Sequence, residues 1–328
     1  MPLLSYLEAS TLALAQEMRR DPRVWALGED LGRGGVFGQY RGLQAEFGTE
    51  RILDTPISEA GILGAAVGAA LMGTRPVVEM RFSDFALCAV DALVNQAAKA
   101  RFMFGGQGRV PLVVREPIGM WRSSAAQHSQ SLEAWYAHVP GLVVVCPATA
   151  ADNHALLKAA IRSDDPVVYL EHKNLWGLEG EVDVDAPPAR LGAARIARPG
   201  RDLTLVTWSA MLHASLATAD ALAAEGIEPE ILDLRTLWPW DREAVLASAS
   251  RTGRLLVVHE AVQAGGFGAE IAATVAEELG VPVRRLGAPR IPIAYSPPLE
   301  EVARIGPERI ATTIRAMLNP GGPERCEP

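Results

Sequence analysis

The chain has 328 residues, roughly twice a common domain length, so two domains are expected. Hydrophobic residues make up 49% and charged residues 21%, with a net charge of -8; this is a globular composition that argues against nucleic acid or an anionic membrane surface as partner. The three cysteines form no Cys-x-x-Cys or Cys/His cluster, which fits a reducing compartment and argues against a cysteine-held metal.

In chain order, the start MPLLSYLEAS meets the acidic Glu8 at once and lacks the basic, then apolar, pattern of a signal peptide, so a cytoplasmic location is expected. A helix is predicted over 3–19, followed by helices at 59–72, 83–104 and 150–162. Strands are predicted at 76–80, 110–115, 142–146 and 167–170. These strands are rich in Val and Leu without strict alternation, the signature of a parallel sheet buried on both faces. Cys88 and Cys146 sit in apolar contexts and read as small core residues, while Cys326 lies in a polar tail. The small-residue run 61–72 is too short to span a bilayer. A segment rich in Asp, Pro and Gly follows at 177–201 and reads as a linker or crossover. The α/β rhythm then restarts, with strands at 203–207, 230–234, 255–259 and 283–286. Helices are expected at 211–224, 241–250, 268–279 and 299–318. The predicted class is α/β: two three-layer domains with largely parallel sheets, over 1–185 and 202–319, joined by a linker at 186–201 and trailed by a loose tail at 320–328.

The segment with most chemical content is Asp54-Thr-Pro-Ile-Ser-Glu59, followed by a helix carrying Gly61, Gly64 and Gly68. Ser58 is the expected N-cap, which puts Glu59 in the first turn. Each interior glycine costs up to about 1 kcal/mol against alanine, so three of them predict a close approach by another backbone or a ligand. On composition alone, Glu59 is an acid favouring the helix dipole, and the glycines are packing positions.

The spacing of Glu59, Gly64, Ala65, Gly68 and Ala69 resembles thiamine-diphosphate enzymes. Further segments extend the likeness over nearly the whole chain: Leu27-Gly-Glu-Asp30, Arg75-Pro-Val-Val-Glu79, Asn95-Gln-Ala-Ala-Lys99, Gln127-His-Ser-Gln130, Asp165-Pro-Val-Val168, Asp233-Leu-Arg-Thr236 and Gly265-Gly-Phe-Gly-Ala-Glu270. Together they resemble the beta subunit of the thiamine-dependent, decarboxylating component of 2-oxoacid dehydrogenase complexes. The fold implied is a transketolase-like pyrimidine-binding domain followed by a transketolase C-terminal-like domain.

The resemblance implies a role for each matching residue. Glu59 would share a proton with the far nitrogen of the cofactor's aminopyrimidine and so promote the imino form that deprotonates the thiazolium carbon; burial is expected to raise its pKa for that task. Phe85 matches the aromatic that stacks on the pyrimidine, although by itself it reads as core. His128 matches an active-site histidine able to pass a proton to the intermediate or to a lipoyl sulfur. Ile57 and Arg81 are taken as further cofactor-lining positions, Glu29 as a member of a proton path, and His138 as a helix-end histidine. A structural potassium ion bound mainly by main-chain oxygens would fall at Leu112, Ala160, Ile161, Ser163 and Asp165.

Two positions depart from the family pattern. Arg81 stands where many bacterial relatives carry Gln, and Gly119-Met-Trp-Arg-Ser-Ser124 replaces a glycine-rich loop. Both leave the donor open among pyruvate, branched-chain 2-oxoacids and acetoin, and an added arginine could recognise a phosphorylated sugar. The Gly-Asp-Gly and paired-Asn segments that hold the diphosphate through Mg2+ are missing. Gly265-Gly-Phe-Gly268 lacks dinucleotide-loop spacing and is expected to serve close packing at a helix start near a subunit contact. The resemblance therefore implies an alpha subunit holding diphosphate and Mg2+, an assembly of two alpha and two beta chains, and a lipoyl-bearing acyltransferase core. The competing readings are a ketol-transferring carboligase subunit, an acetoin dehydrogenase beta subunit, and a non-catalytic scaffold.

Overall fold

The computed structural model describes residues 1–319; the predicted tail at 320–328 lies outside the described residues. The first strong helix, Tyr6–Arg20, starts on a capping box in which the Ser5 side chain accepts from the Glu8 amide while the Glu8 carboxylate accepts from the Ser5 amide. The preceding Leu3–Ser5 is not helical, as expected from the sequence, but a short strand paired antiparallel with Glu179–Glu181.

Two larger sheets carry the core. The first has seven strands in the order Thr236–Trp238, Val143–Val145, Val167–His172, Val113–Ile118, Arg75–Glu79, Val24–Gly28 and Ile52–Asp54. Its pairs are parallel except at the Thr236–Trp238 edge. The second has five strands in the order Val283–Ala288, Leu255–Val262, Leu203–Thr207, Pro229–Asp233 and Arg195–Arg198, the last antiparallel. Thus part of the expected linker, Arg195–Arg198, joins the second sheet, and Thr236–Trp238 crosses back to close the first. The central strands are buried at every residue, as the Val- and Leu-rich runs require. Val24–Gly28 and Ile52–Asp54 escaped sequence prediction; the second, with three residues, holds too little pattern to read as a strand.

Three further expectations are corrected. The single helix predicted at 83–104 is broken into Ser83–Ala86, a 3-10 turn at Leu87–Ala89, a π-helical stretch at Ala92–Ala97 and Ala98–Met103. Apolar periodicity marks which face is buried, but it does not encode the hydrogen-bond step along the backbone. The helix predicted at 299–318 is two helices, Pro297–Ala303 and Pro307–Leu318, because the residue before a proline is driven out of helical conformation. Cys88 is exposed, whereas Cys146 is buried as expected. Among the described residues no helix is long and apolar enough to cross a membrane.

Candidate functional site

The five adjacent parallel strands from Val167–His172 to Ile52–Asp54 all end on one edge of the first sheet. Gly28 lies opposite Asp54 and Glu79, and Ile118 opposite His172. The loops leaving this edge carry Glu29, Ile57, Glu59, Arg81, Phe85 and His128. Parallel α/β sheets bind ligands at this edge, because loops from several strands converge there.

Glu59 is the first residue of the helix Glu59–Leu71. Ser58 occupies the cap position, but its side chain makes no capping bond, so this part of the expectation fails. Glu59 itself is only half-buried, so the burial expected of it is not supplied by this chain alone. Neighbouring Ile57 is 78% exposed. A Cβ added at Gly64 or Gly68 would meet nothing within 4 Å. The close approach that these glycines imply is therefore absent within the chain, and the small-residue face is uncovered.

Phe85 and His128 are brought together, with ring centroids 5.1 Å apart, edge to face. Phe82 completes the contact at 4.9 Å from His128 and 5.3 Å from Phe85. A second layer follows: Phe37 lies 5.9 Å from Phe82 and 4.1 Å from Trp176, and Trp121 packs 5.7 Å from Trp176. Of these rings, Phe37, Phe82 and Trp176 carry no functional signal in the sequence, and Trp121 stands out there only as part of the departing 119–124 loop. They come from four separate segments, and nothing local marks them as neighbours.

Lys173 was missed as well. It is 2% exposed, and its ammonium lies 4.8 Å from the centre of the Phe82 ring and donates to the His128 carbonyl. Burial lowers its pKa from 10.5 to about 8, against the opposing pull of Asp84, Glu260 and Glu300. Keeping this charge at neutral pH costs on the order of 3 kcal/mol.

Arg81 is committed within the chain. Its guanidinium pairs with Glu29 at 2.9 Å and with Asp30. Two carboxylates already neutralise it, which removes the physical basis for a phosphorylated-sugar receptor here, and Glu29 is one of its two ion-pair partners. Deeper in the sheet, Arg115 lies 2.7 Å from Glu171 and 3.6 Å from Glu79. Gln39 and Tyr40 donate to Glu79 at 2.9 and 3.0 Å. Burial raises the Glu79 pKa to about 7, even with Arg115 opposing.

The candidate potassium oxygens already have protein donors. The Leu112 carbonyl accepts from Val167 N–H, Ala160 from Ser163 N–H, and Asp165 from the Ser163 hydroxyl. Arg75 donates to the Ile161 and Ser163 carbonyls at 3.1 and 2.8 Å. A guanidinium thus supplies positive charge at this corner, leaving only second lone pairs for an ion. Among the described residues no group of three His, Cys, Asp or Glu side chains is arranged to hold a metal.

In the second sheet, Gly266 and Gly268 pack against a buried histidine. A Cβ at Gly266 would lie 2.6 Å from His259 Cε1, and one at Gly268 2.7 Å from His259 Cδ2. His259 stacks on Trp208 at 5.3 Å, and burial lowers its pKa to about 4. The expected close packing at this helix start is present, on a partner the sequence did not reveal. His138 is exposed and lines a cavity of about 770 Å³ with Trp135, Trp238 and Phe267.

Comparison with known proteins shows the family to which this fold belongs. The transketolase pyrimidine-binding domain matches residues 3–177, and the transketolase C-terminal domain matches 192–310. The 2-oxoisovalerate dehydrogenase subunit beta of Bacillus subtilis is 41% identical over 324 residues, covering 97% of this chain and 99% of its own length. The acetoin:2,6-dichlorophenolindophenol oxidoreductase subunit beta of Cupriavidus necator is 45% identical, covering 94% and 96%. The mitochondrial pyruvate dehydrogenase E1 component subunit beta-2 of Oryza sativa is 44% identical, covering 90% and 81%. A solved split-gene transketolase, described as an inactive beta4 tetramer, shares the fold with a TM-score of 0.81 at 24% identity, covering 96% of this chain and 98% of its own.

Proposed function

This chain belongs to the family of beta subunits of thiamine-dependent 2-oxoacid dehydrogenases, and we propose that Glu59, Phe85 and His128 are its contribution to the shared active site. With an alpha subunit it forms an enzyme that decarboxylates a 2-oxoacid and reductively acylates a lipoyl group. The observation that carries the residue assignment is that Glu59, Phe85 and His128 lie on segments leaving one edge of a parallel sheet, with Phe85 and His128 in ring contact and Glu59 at the head of an uncovered glycine-lined helix face.

Thiamine diphosphate, when bound, would supply a carbon nucleophile for chemistry at the 2-oxo group. Glu59 holds a proton at the pyrimidine end, and the covering alpha chain provides the burial that this chain lacks. Phe85 offers a ring face to the pyrimidine, with Ile57 beside it, and Arg81 orders the Glu29–Asp30 loop. His128, fixed between Phe82 and Phe85, moves a proton at the substrate end. The alpha subunit holds the diphosphate and Mg2+. We further assign an assembly of two alpha and two beta chains, an acyltransferase core as acceptor, a cytoplasmic location, and domains at 1–185 and 202–319, the second extended by the Arg195–Arg198 strand. The candidate potassium site gains no support from the carbonyl set, each member of which already accepts a hydrogen bond.

The test is co-expression with an alpha subunit and assay of thiamine-dependent decarboxylation of pyruvate, 2-oxoisovalerate and other 2-oxoacids, with and without a lipoyl domain. Turnover of one or more 2-oxoacids, with acyl transfer to the lipoyl domain, is expected. Turnover of a ketose phosphate and of no 2-oxoacid would overturn the reading.

A further inference from the structure

The loop between Gly119 and Gln130 is held at its two ends and bent against its preference in the middle. At its start, Met120 N–H donates to Glu260 at 2.8 Å, while the Met120 carbonyl accepts from Asn174 at 2.9 Å and from Arg304 at 3.2 Å. Glu260 itself is fixed by His172 at 3.0 Å. At its end, Gln130 donates to Asp84 at 2.8 Å. Between these anchors, Arg122, Ser123 and Ala125 have φ values of 49°, 53° and 66°. None is glycine, and each such residue in the left-handed region persists only where its surroundings impose it. His128 sits on the far limb of this strained arc. Among the described residues, the one hydrogen bond from a buried side chain that reaches the His128 main chain comes from Lys173.

Lys173 is an unusual tether. An ammonium can donate three hydrogen bonds, yet Lys173 makes one, to the His128 carbonyl. Among the described residues its only other close partner is the Phe82 ring, and no carboxylate is in ion-pair contact with it. Buried charges are normally paired, and here a methionine would fill similar space without the burden. The same Phe82 ring packs edge to face against His128. The lysine therefore grips His128 twice, through its carbonyl and through the ring that flanks its imidazole.

We propose that Lys173 is a positioning residue for His128: its buried cation holds the strained loop down, so that the imidazole stays seated between Phe82 and Phe85. This inference rests on the reading of His128 as an active-site residue. The charged groups facing Lys173 are Asp84 at the head of Ser83–Ala86, Glu260 on Leu255–Val262 and Glu300 on Pro297–Ala303, all favouring the protonated form. Burial outweighs them and brings the pKa to about 8, so the cation is present at neutral pH and lost as pH rises through that value.

The experiment uses the chain co-expressed with its alpha subunit, with pyruvate and 2-oxoisovalerate as donors and bleaching of dichlorophenolindophenol as readout. Lys173→Met is expected to lower kcat by roughly tenfold to a hundredfold through misplacement of His128, with the KM for thiamine diphosphate within about twofold of the wild type. Its Tm should be equal or higher, because a costly buried charge is gone. Trypsin should cut after the exposed Arg122 faster than in the wild type. The wild-type alkaline limb near pH 8 should move upward in Lys173→Arg, whose charge persists. Unchanged kcat together with unchanged cleavage after Arg122 in Lys173→Met would overturn the tether. So would a lowered Tm with cofactor affinity lost in proportion to kcat, since that pattern describes a structural residue. His128→Gln, run in parallel, separates the two readings: full turnover in His128→Gln removes the His128 assignment, while faster cleavage after Arg122 in Lys173→Met still supports the tether itself.

Discussion

Two helices of this chain are marked by glycines, one at its start and one along its length, and these glycines have opposite fates. At Gly266 and Gly268 the space a side chain would need is filled by the His259 ring, and Gly287 presses on the same ring from the neighbouring strand. At Gly64 and Gly68 the space is empty. The first segment solves a packing problem within the fold. The second leaves a smooth face unused by its own chain, immediately behind Glu59. Gly64 and Gly68 have neither a neighbour filling their space nor a positive φ to explain them, so we assign their open face to the alpha-subunit contact of the proposed assembly.

The sharpest way to press this comparison is through Glu59. In the assembly, Glu59→Gln should lose nearly all turnover, a loss of at least about a hundredfold for a proton-transfer group, with the Tm of the isolated chain unchanged. Near-normal turnover would make Glu59 an ordinary helix-start acid.

The His259 cradle can be probed by pH. His259 is held neutral, with its pKa lowered from 6.5 to about 4 by burial. The unfolded chain therefore binds more protons between those values, and stability is full above pH 6.5 and falls as pH drops toward 4. The contribution is about 3 kcal/mol. His259→Phe should flatten that part of a denaturation-versus-pH profile, and an unaltered slope would show that the ring is not the titrating group.

Gly268→Ala should cost about 1–3 kcal/mol through overpacking against His259, read as a lower midpoint in urea at unchanged slope. The smallest effect is expected at Gly64→Ala. There the isolated chain should gain up to about 1 kcal/mol of helix stability, while co-purification with the alpha subunit weakens. Destabilisation of the isolated chain by Gly64→Ala would break the comparison, because it would mean that this face is already packed.

Much of the site was legible before the fold. Glu59, Phe85 and His128 lie in segments whose residue order resembles a known family, and Phe85 and His128 are in contact in the structure. Arg81 was legible as a position but not as a partner. Its pairing with Glu29 and Asp30 joins loops from two adjacent strands, a relation that no local pattern encodes. Lys173 was invisible for the opposite reason: in sequence it is one lysine after a strand, and only its burial and its bond to the His128 carbonyl give it meaning.

By itself the sequence determined the two α/β halves, the central buried strands and most helices, because burial on both faces of a parallel sheet and the 3.6-residue helical period are written in local residue order. It also carried the match to a family of beta subunits. The tertiary structure alone decided where the 83–104 helix breaks, that Thr236–Trp238 returns to the first sheet, and which charges are paired. These depend on contacts between residues far apart in the chain, and hydrogen-bond register and ion pairing leave no periodic trace in sequence. The empty face behind Glu59 belongs to the same class, since a glycine reads the same whether a neighbour fills its space or not.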